Sequence, residues 1–198
     1  MGEPEPHDYR VLARETIHEG RVISLELDTV AMPGGGDSVR EIVHHPGAVA
    51  VVAVDAEDCV VLVRQYRHPF GTHLWELPAG LRDADGEPPL ETAKRELAEE
   101  ALLSAARWSL LATSYSSPGF CDEQVLIYLA EELSDVDRPE GFVVEHEELD
   151  MTVERVPLAD AVARVYSGGI RNASAVIGVL AAAQVRATKP ELRPADAE

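Results

Sequence analysis

Hydrophobic and polar positions alternate over residues 21–30 (RVISLELDTV). Ile23, Leu25 and Leu27 fall on one face, and Ser24, Glu26 and Asp28 fall on the other. A period of two predicts a half-buried strand. Pro33-Gly34-Gly35-Gly36 breaks the chain as a turn, and residues 38–45 return as a second strand, so 21–45 is expected to be a β-hairpin. Residues 48–55 (AVAVVAVD) and 59–66 (CVVLVRQY) are apolar almost throughout, with only Ala56-Glu57-Asp58 between them. They read as a second hairpin whose strands are buried on both faces.

A short strand over 74–77 ends at Pro78, and a helix follows over about 88–101. Strand-like stretches recur at 107–114, 124–130 and 151–156, while 134–150 is acidic, contains Pro139 and Gly141, and is expected to be a mobile loop. Two helices close the chain. The first covers 158–166 and ends near Gly168-Gly169; the second covers 173–187 behind a capping Asn172 and should pack on a sheet. Residues 1–8 and the polar tail from Thr188 onward are expected to be loose. Strands and helices mixed without strict alternation predict an α/β fold with a mixed sheet between helices.

Charge narrows the range of partners. Seventeen basic and 36 acidic residues give a net charge of −19. That argues against nucleic-acid or anionic-membrane binding, both of which need basic surface. A charged small ligand is still permitted, because a bound metal inverts the sign locally. Two cysteines, Cys59 and Cys121, argue against a disulfide framework and fit a reducing compartment, with Cys59 expected as a buried thiol. With no signal-like opening and no apolar run of membrane-spanning length, a cytoplasmic protein is expected.

The chemistry concentrates in the helix over 88–101. Glu96 and Glu100 are four residues apart and share a face, with Glu99 beside them and Glu87 eight residues before Arg95. Like charges at this spacing destabilise a helix. A hard divalent cation, which prefers oxygen ligands, gives a reason to gather them. Leu90, Ala93, Leu97 and Ala101 form a separate stripe suited to a core.

This stretch resembles the Nudix box, G-x5-E-x7-R-E-U-x-E-E-x-G-U with U aliphatic. Glu87 to Arg95 keeps the x7 spacing, and Arg95-Glu96-Leu97-Ala98-Glu99-Glu100 matches in full. Two positions depart from the pattern: six residues rather than five separate Gly80 from Glu87, and Leu102 replaces the late glycine. A leucine held in a left-handed conformation costs roughly 1 kcal/mol or more. The helix is therefore expected to end differently, with the carboxylates upstream unaffected.

The resemblance implies a Nudix-type α/β/α sandwich with an N-terminal β extension over 1–45, a hydrolase domain over 46–187 and a disordered tail over 188–198. The extension would serve dimerisation and substrate recognition, which implies a homodimer. The resemblance also implies Mg²⁺ or Mn²⁺ held by Glu96, Glu100, Glu99 and the backbone carbonyl of Ala79, with Arg95 orienting a carboxylate such as Glu87.

Flanking segments resemble the ADP-ribose pyrophosphatase branch of that family. Leu74-Trp75-Glu76-Leu77-Pro78-Ala79-Gly80 leads into the box, Arg64-Gln65-Tyr66-Arg67-His68-Pro69 lies upstream, and Pro118 follows Leu103 by fifteen residues. The implied substrate contacts are Arg67, Arg40, Glu76 and Pro118; an arginine grips a diphosphate through its bidentate fork. Trp75 reads more simply as a core residue and His68 as structural. A catalytic base is implied in the acidic loop at Glu147 or Glu148, with Glu147-x-x-Asp150-Met151 favouring Glu147. The implied reaction is metal-dependent hydrolysis of ADP-ribose to AMP and ribose 5-phosphate. Alternatives are another nucleoside diphosphate compound, such as a nucleotide sugar, and a non-catalytic nucleotide-binding module.

Overall fold

A computed structural model describes residues 7–139 and 149–197. The chain divides into two compact units: Met1–Gly47 with Tyr115–Glu123, and Ala48–Ser114 with Gln124–Glu198. The segment 115–123 was expected in the hydrolase domain and instead belongs with the N-terminal extension.

The first unit holds an antiparallel sheet of β1 (Val11–Glu19), β2 (Ser24–Ala31) and β3 (Asp37–His44), with β2 in the centre. The β2–β3 hairpin is the predicted one, closed through Gly34, Gly35 and Gly36, all at positive φ. The strand β1 was not expected. It pairs with β2 from Val11↔Val30 to Glu19↔Ser24, and all nine of its residues are exposed. A strand that buries neither face carries no alternation to read.

In the second unit, β4 (Ala48–Ala53) lies between β7 (Ala79–Leu81) and β9 (Gln124–Asp135); with β8 (Leu103–Tyr115) and β11 (Arg193–Pro194) they form a sheet ordered β11-β8-β9-β4-β7. The β4–β9 pair is parallel and the β4–β7 pair antiparallel, so this sheet is mixed. A second sheet is ordered β10-β5-β6, from β5 (Cys59–Arg67), β6 (Thr72–Glu76) and β10 (Thr152–Pro157). The expected 48–55/59–66 hairpin is therefore corrected. Both runs are strands, but they meet only at the isolated bridge Val54↔Val60 and then enter different sheets.

Burial on both faces of β4 explains its unbroken apolar run. Val49, Val51 and Ala53 pack with Ala93 and Leu97 of α1 (Pro89–Ala101). Ala50 and Val52 pack with Ala161 of α2 (Leu158–Tyr166) and Ala175, Val179 and Ala182 of α3 (Ala173–Thr188). Helices thus cover both faces, as the α/β/α expectation required. Each fully buried leucine or valine contributes about 1.5–3 kcal/mol. Asn172 caps α3 by accepting from the Ala175 amide at 3.0 Å. Gly178 lets α3 approach closely, since a Cβ there would lie 2.7 Å from Val52 and 2.8 Å from Leu77.

Two further expectations are corrected. Residues beyond Thr188 are not wholly loose: β11 (Arg193–Pro194) pairs with Leu110 and Ser109 of β8 (Leu103–Tyr115), and Leu192 and Ala195 pack on the two cores. Apolar side chains inside a polar segment anchor it. Cys59 is half-buried rather than buried, and burial raises its thiol pKa.

Candidate functional site

The loop β7–α1 and the helix α1 place the box residues. Pro89 stands at the first helical position, where its missing N–H costs nothing, and Glu91 lies in the first turn near the positive end of the helix dipole. Ala93 and Leu97 are fully buried, which fixes the rotation of α1 about its axis. With that stripe held inside, Glu96 and Glu100 fall along its edge and meet β7 at Gly80 and Ala79, and Glu99 lies further round the helix.

Arg95 is the hub of the group. Its Nη1 donates to Glu96 at 2.8 Å and to Glu99 at 2.9 Å, while Nε and Nη2 donate to the two oxygens of Glu87, each at 3.3 Å. The Thr92 hydroxyl donates to Glu87 at 2.9 Å. Contact with Arg95 outweighs burial and holds the Glu87 carboxyl below its ordinary pKa. Burial works against the charge on Arg95, but Glu87, Glu96 and Glu99 together raise its pKa further. Glu100 turns elsewhere: its Oε2 accepts from the Ala79 amide at 2.9 Å. The Glu96 carboxylate presses against Gly80 so closely that any Cβ there would overlap it. The glycine thus leaves room for the Glu96 carboxylate in this position, and its backbone angle is an ordinary one.

Both departures from the box pattern have structural outcomes. The extra residue is taken up by a turn in which the Glu87 amide donates to the Ala84 carbonyl and Gly86 sits at φ 75°, and Glu87 still reaches Arg95. Leu102 overturns the expectation of a different helix end: it adopts φ 55°, ψ 41°, and its amide donates to the Leu97 carbonyl. The left-handed cap is kept with leucine, because the buried Leu103 and the hydrogen bond from the Val136 amide to the Leu102 carbonyl fix the chain on both sides.

The donor set suits a hard divalent cation. Three carboxylates face one guanidinium and a fourth, Glu100, lies beside them on the Ala79 amide; every donor is oxygen, and the side chains of Glu96 and Glu99 are 12% and 13% exposed. Among the described residues, no three His, Cys, Asp or Glu side chains already converge as a cage. The carboxylates are turned onto Arg95 and the Ala79 amide, so the fit lies in donor type and proximity, and a cation would compete with Arg95 for Glu96 and Glu99.

Arg67 and Glu76 were read as separate substrate contacts. They are joined: Arg67 Nε donates to Glu76 Oε1 at 2.9 Å and Nη2 donates to Oε2 at 2.7 Å. Glu76 is buried at the end of β6, and Arg67 is half-exposed at the end of β5. No spacing rule pairs residues nine apart across a β5–β6 connection, so nothing in the sequence signals this bond. Trp75 packs on the core as expected, with the Arg164 guanidinium 5.8 Å from its ring centre. His68 lies in the short 3₁₀ turn His68–Phe70, its ring 3.5 Å from the Tyr66 hydroxyl.

Arg40 and Pro118 lie in the first unit. Arg40 is on β3 and donates to Ser38 Oγ at 2.6 Å and the Val39 carbonyl at 3.0 Å. Pro118 sits in a turn where the Phe120 amide donates to the Ser117 carbonyl at 3.0 Å. Glu147 and Glu148 lie outside the described residues. Asp150, three residues after Glu147, has its carboxylate 2.6 Å from His73 Nε2 of β6.

No helix among the described residues is long and apolar enough to cross a membrane. A family model, the NUDIX domain, matches residues 43–173. The chain is similar to the ADP-ribose pyrophosphatase of Mycobacterium tuberculosis, 48% identical over 192 residues, covering 97% of this chain and 91% of that protein. It is also 40% identical over 174 residues to the ADP-ribose pyrophosphatase of Bacillus subtilis, covering 86% of this chain and 90% of the other. A crystal structure titled as an ADP compounds hydrolase shares the fold, with TM-score 0.78 and 22% identity over 93% of this chain and 98% of that one. The helix that gathers the carboxylates lies within the matched span, and the chain belongs to the NUDIX domain family of hydrolases.

Proposed function

We propose that the protein hydrolyses ADP-ribose to AMP and ribose 5-phosphate, using Mg²⁺ or Mn²⁺. The observation that carries this reading is the carboxylate group on α1, bound to Arg95 and the Ala79 amide, in a chain similar over nearly its whole length to two pyrophosphatases of that specificity.

In this reading Glu96, Glu100 and Glu99, with the Ala79 carbonyl, hold the cation. When bound, it supplies neutralisation of the diphosphate oxygens and a lowered pKa for water. Arg95 keeps the carboxylates gathered through Glu87, Glu96 and Glu99. Glu147, or its neighbour Glu148, takes the proton of the attacking water. One new P–O bond forms to the water oxygen as the bridging P–O bond breaks, and AMP and ribose 5-phosphate leave. Arg67, Arg40, Glu76 and Pro118 remain the substrate contacts, and a diphosphate reaching Arg67 must compete with Glu76.

The same reading makes the protein a cytoplasmic homodimer. It is supported by two free thiols and by β1, whose exposed Val11, Leu12 and Ile17 a second copy would cover. Light scattering is expected to return twice the chain's 21.5 kDa, and a monomer at micromolar concentration would refute this part.

The functional test is release of AMP from ADP-ribose. Turnover is expected with Mg²⁺ or Mn²⁺ and none with EDTA. Faster turnover of a nucleotide sugar than of ADP-ribose would move the assignment to another diphosphate compound. Metal-independent binding without hydrolysis would make the protein a nucleotide-binding module.

A further inference from the structure

The turn that carries Pro118 is fastened to the end of β3 by backbone and side-chain bonds. The Val43 amide donates to the Phe120 carbonyl at 2.7 Å, and the Asp122 amide donates to the Val43 carbonyl at 3.2 Å. The Asp122 carboxylate then takes two further partners from β3 and its end: the His45 amide donates to Oδ1 at 2.9 Å, and His44 Nδ1 lies 2.6 Å from Oδ2. The other ring nitrogen of His44, Nε2, lies 3.0 Å from Glu26 Oε2 on β2.

Both ring nitrogens therefore face carboxylate oxygens. A neutral imidazole has one donor and one lone pair, so one of these contacts would set a lone pair against a carboxylate. Only the imidazolium donates to both. We propose that His44 is a positioning residue whose imidazolium, held between Glu26 and Asp122, seats the Ser117–Asp122 turn and with it Pro118. The functional half of this rests on the reading of Pro118 as a substrate contact.

The charged surroundings fit the doubly protonated ring. Arg14 of β1 shares Glu26, at 2.9 Å, and is held bidentate by the buried Asp28 at 2.7 Å. His45 and Glu123 face each other alongside at 3.6 Å. The hydrogen bond to Asp122 raises the His44 pKa, against burial and with help from Glu26. Burial would raise the Asp122 pKa, but His44 and the His45 amide hold it low. A raised histidine value means the clamp is complete below about pH 6.5, the ordinary imidazole value, and is lost as pH rises through the folded-state value. The lowered Asp122 value matters only far to the acid side.

Cys121 lies inside the turn, and with Cys59→Ser it becomes the sole thiol, so its alkylation rate reports release of the turn. The test compares His44→Gln with the parent at each pH, which cancels the thiol's own ionisation. At pH 6 the variant should be alkylated roughly three- to tenfold faster, and its KM for ADP-ribose should rise by a similar factor with kcat unchanged. Both ratios should fall towards one as the pH is raised through the folded-state value of His44. Asp122→Asn, which can still accept from the His45 amide, should reproduce the pattern. Alkylation ratios of one at every pH would overturn the clamp. A pH-dependent alkylation ratio with an unmoved KM would overturn the positioning role. If the parent failed to hydrolyse ADP-ribose, the functional reading would fall, and alkylation would still decide the clamp.

Discussion

Glu100→Gln is expected to lower turnover of ADP-ribose by about a thousandfold, roughly 4 kcal/mol of transition-state stabilisation. The substitution is nearly isosteric. Its amide oxygen still accepts from the Ala79 backbone, so the bond that joins α1 to β7 survives and the fold should be unchanged by circular dichroism. What is lost is a full negative charge beside Glu96 and Glu99, and with it much of the affinity for a hard cation. The metal concentration for half-maximal activity should rise in parallel. Glu91→Gln is the control, because Glu91 lies on the same helix but is exposed and bound to Lys94 at 2.8 Å. It should leave turnover within about twofold, as expected of an exposed ion pair. Activity of Glu100→Gln within tenfold of the parent would remove Glu100 from the metal site.

The box was legible because its chemistry is local. Glu87, Arg95, Glu96, Glu99 and Glu100 span fourteen positions; a helical period places Glu96 and Glu100 on one face with Glu99 beside them, and Glu87, just before the helix, is close enough in sequence to reach Arg95. The core followed for the same reason: the stripe through Ala93 and Leu97 and the unbroken run of β4 both report burial. Neither reports a neighbour. Three residues between two apolar runs suggested a hairpin, but β4 takes β9 and β7 instead, and β9 lies more than seventy residues away in sequence. Strand β1 escaped because it buries nothing, and the anchored tail because Leu192 and Ala195 are isolated apolar residues among polar ones. The same distance hid His44 and Asp122, which are 78 residues apart. Motif resemblance pointed at Arg67 and Glu76 individually but carried no information about their bond.

That bond leads to the second large effect. Arg67→Met is expected to destabilise the second unit by about 2–4 kcal/mol, because it strands a buried carboxylate. The Glu76 side chain is 3% exposed, and both its oxygens accept from Arg67. Removing the guanidinium leaves a charge that cannot reach water without disturbing β6 and the Leu77-Pro78-Ala79 segment beside it. Arg67 itself is 42% exposed, so the loss should fall short of that for a fully buried pair. Adding Glu76→Gln to Arg67→Met should recover at least half of the stability, since the stranded charge is removed and an amide is cheaper to bury. The measurement is a double-mutant cycle in urea, read from transition midpoints. A guanidinium that served substrate alone would give no stability change on Arg67→Met and no coupling to Glu76. Large coupling would instead make the pair a structural brace at the mouth of the box loop. Loss of activity in Arg67→Met would then follow from a displaced Ala79 as well as from a missing diphosphate contact. The double variant separates the two: activity recovered along with stability argues for the brace, and activity still lost at restored stability argues for the grip on substrate.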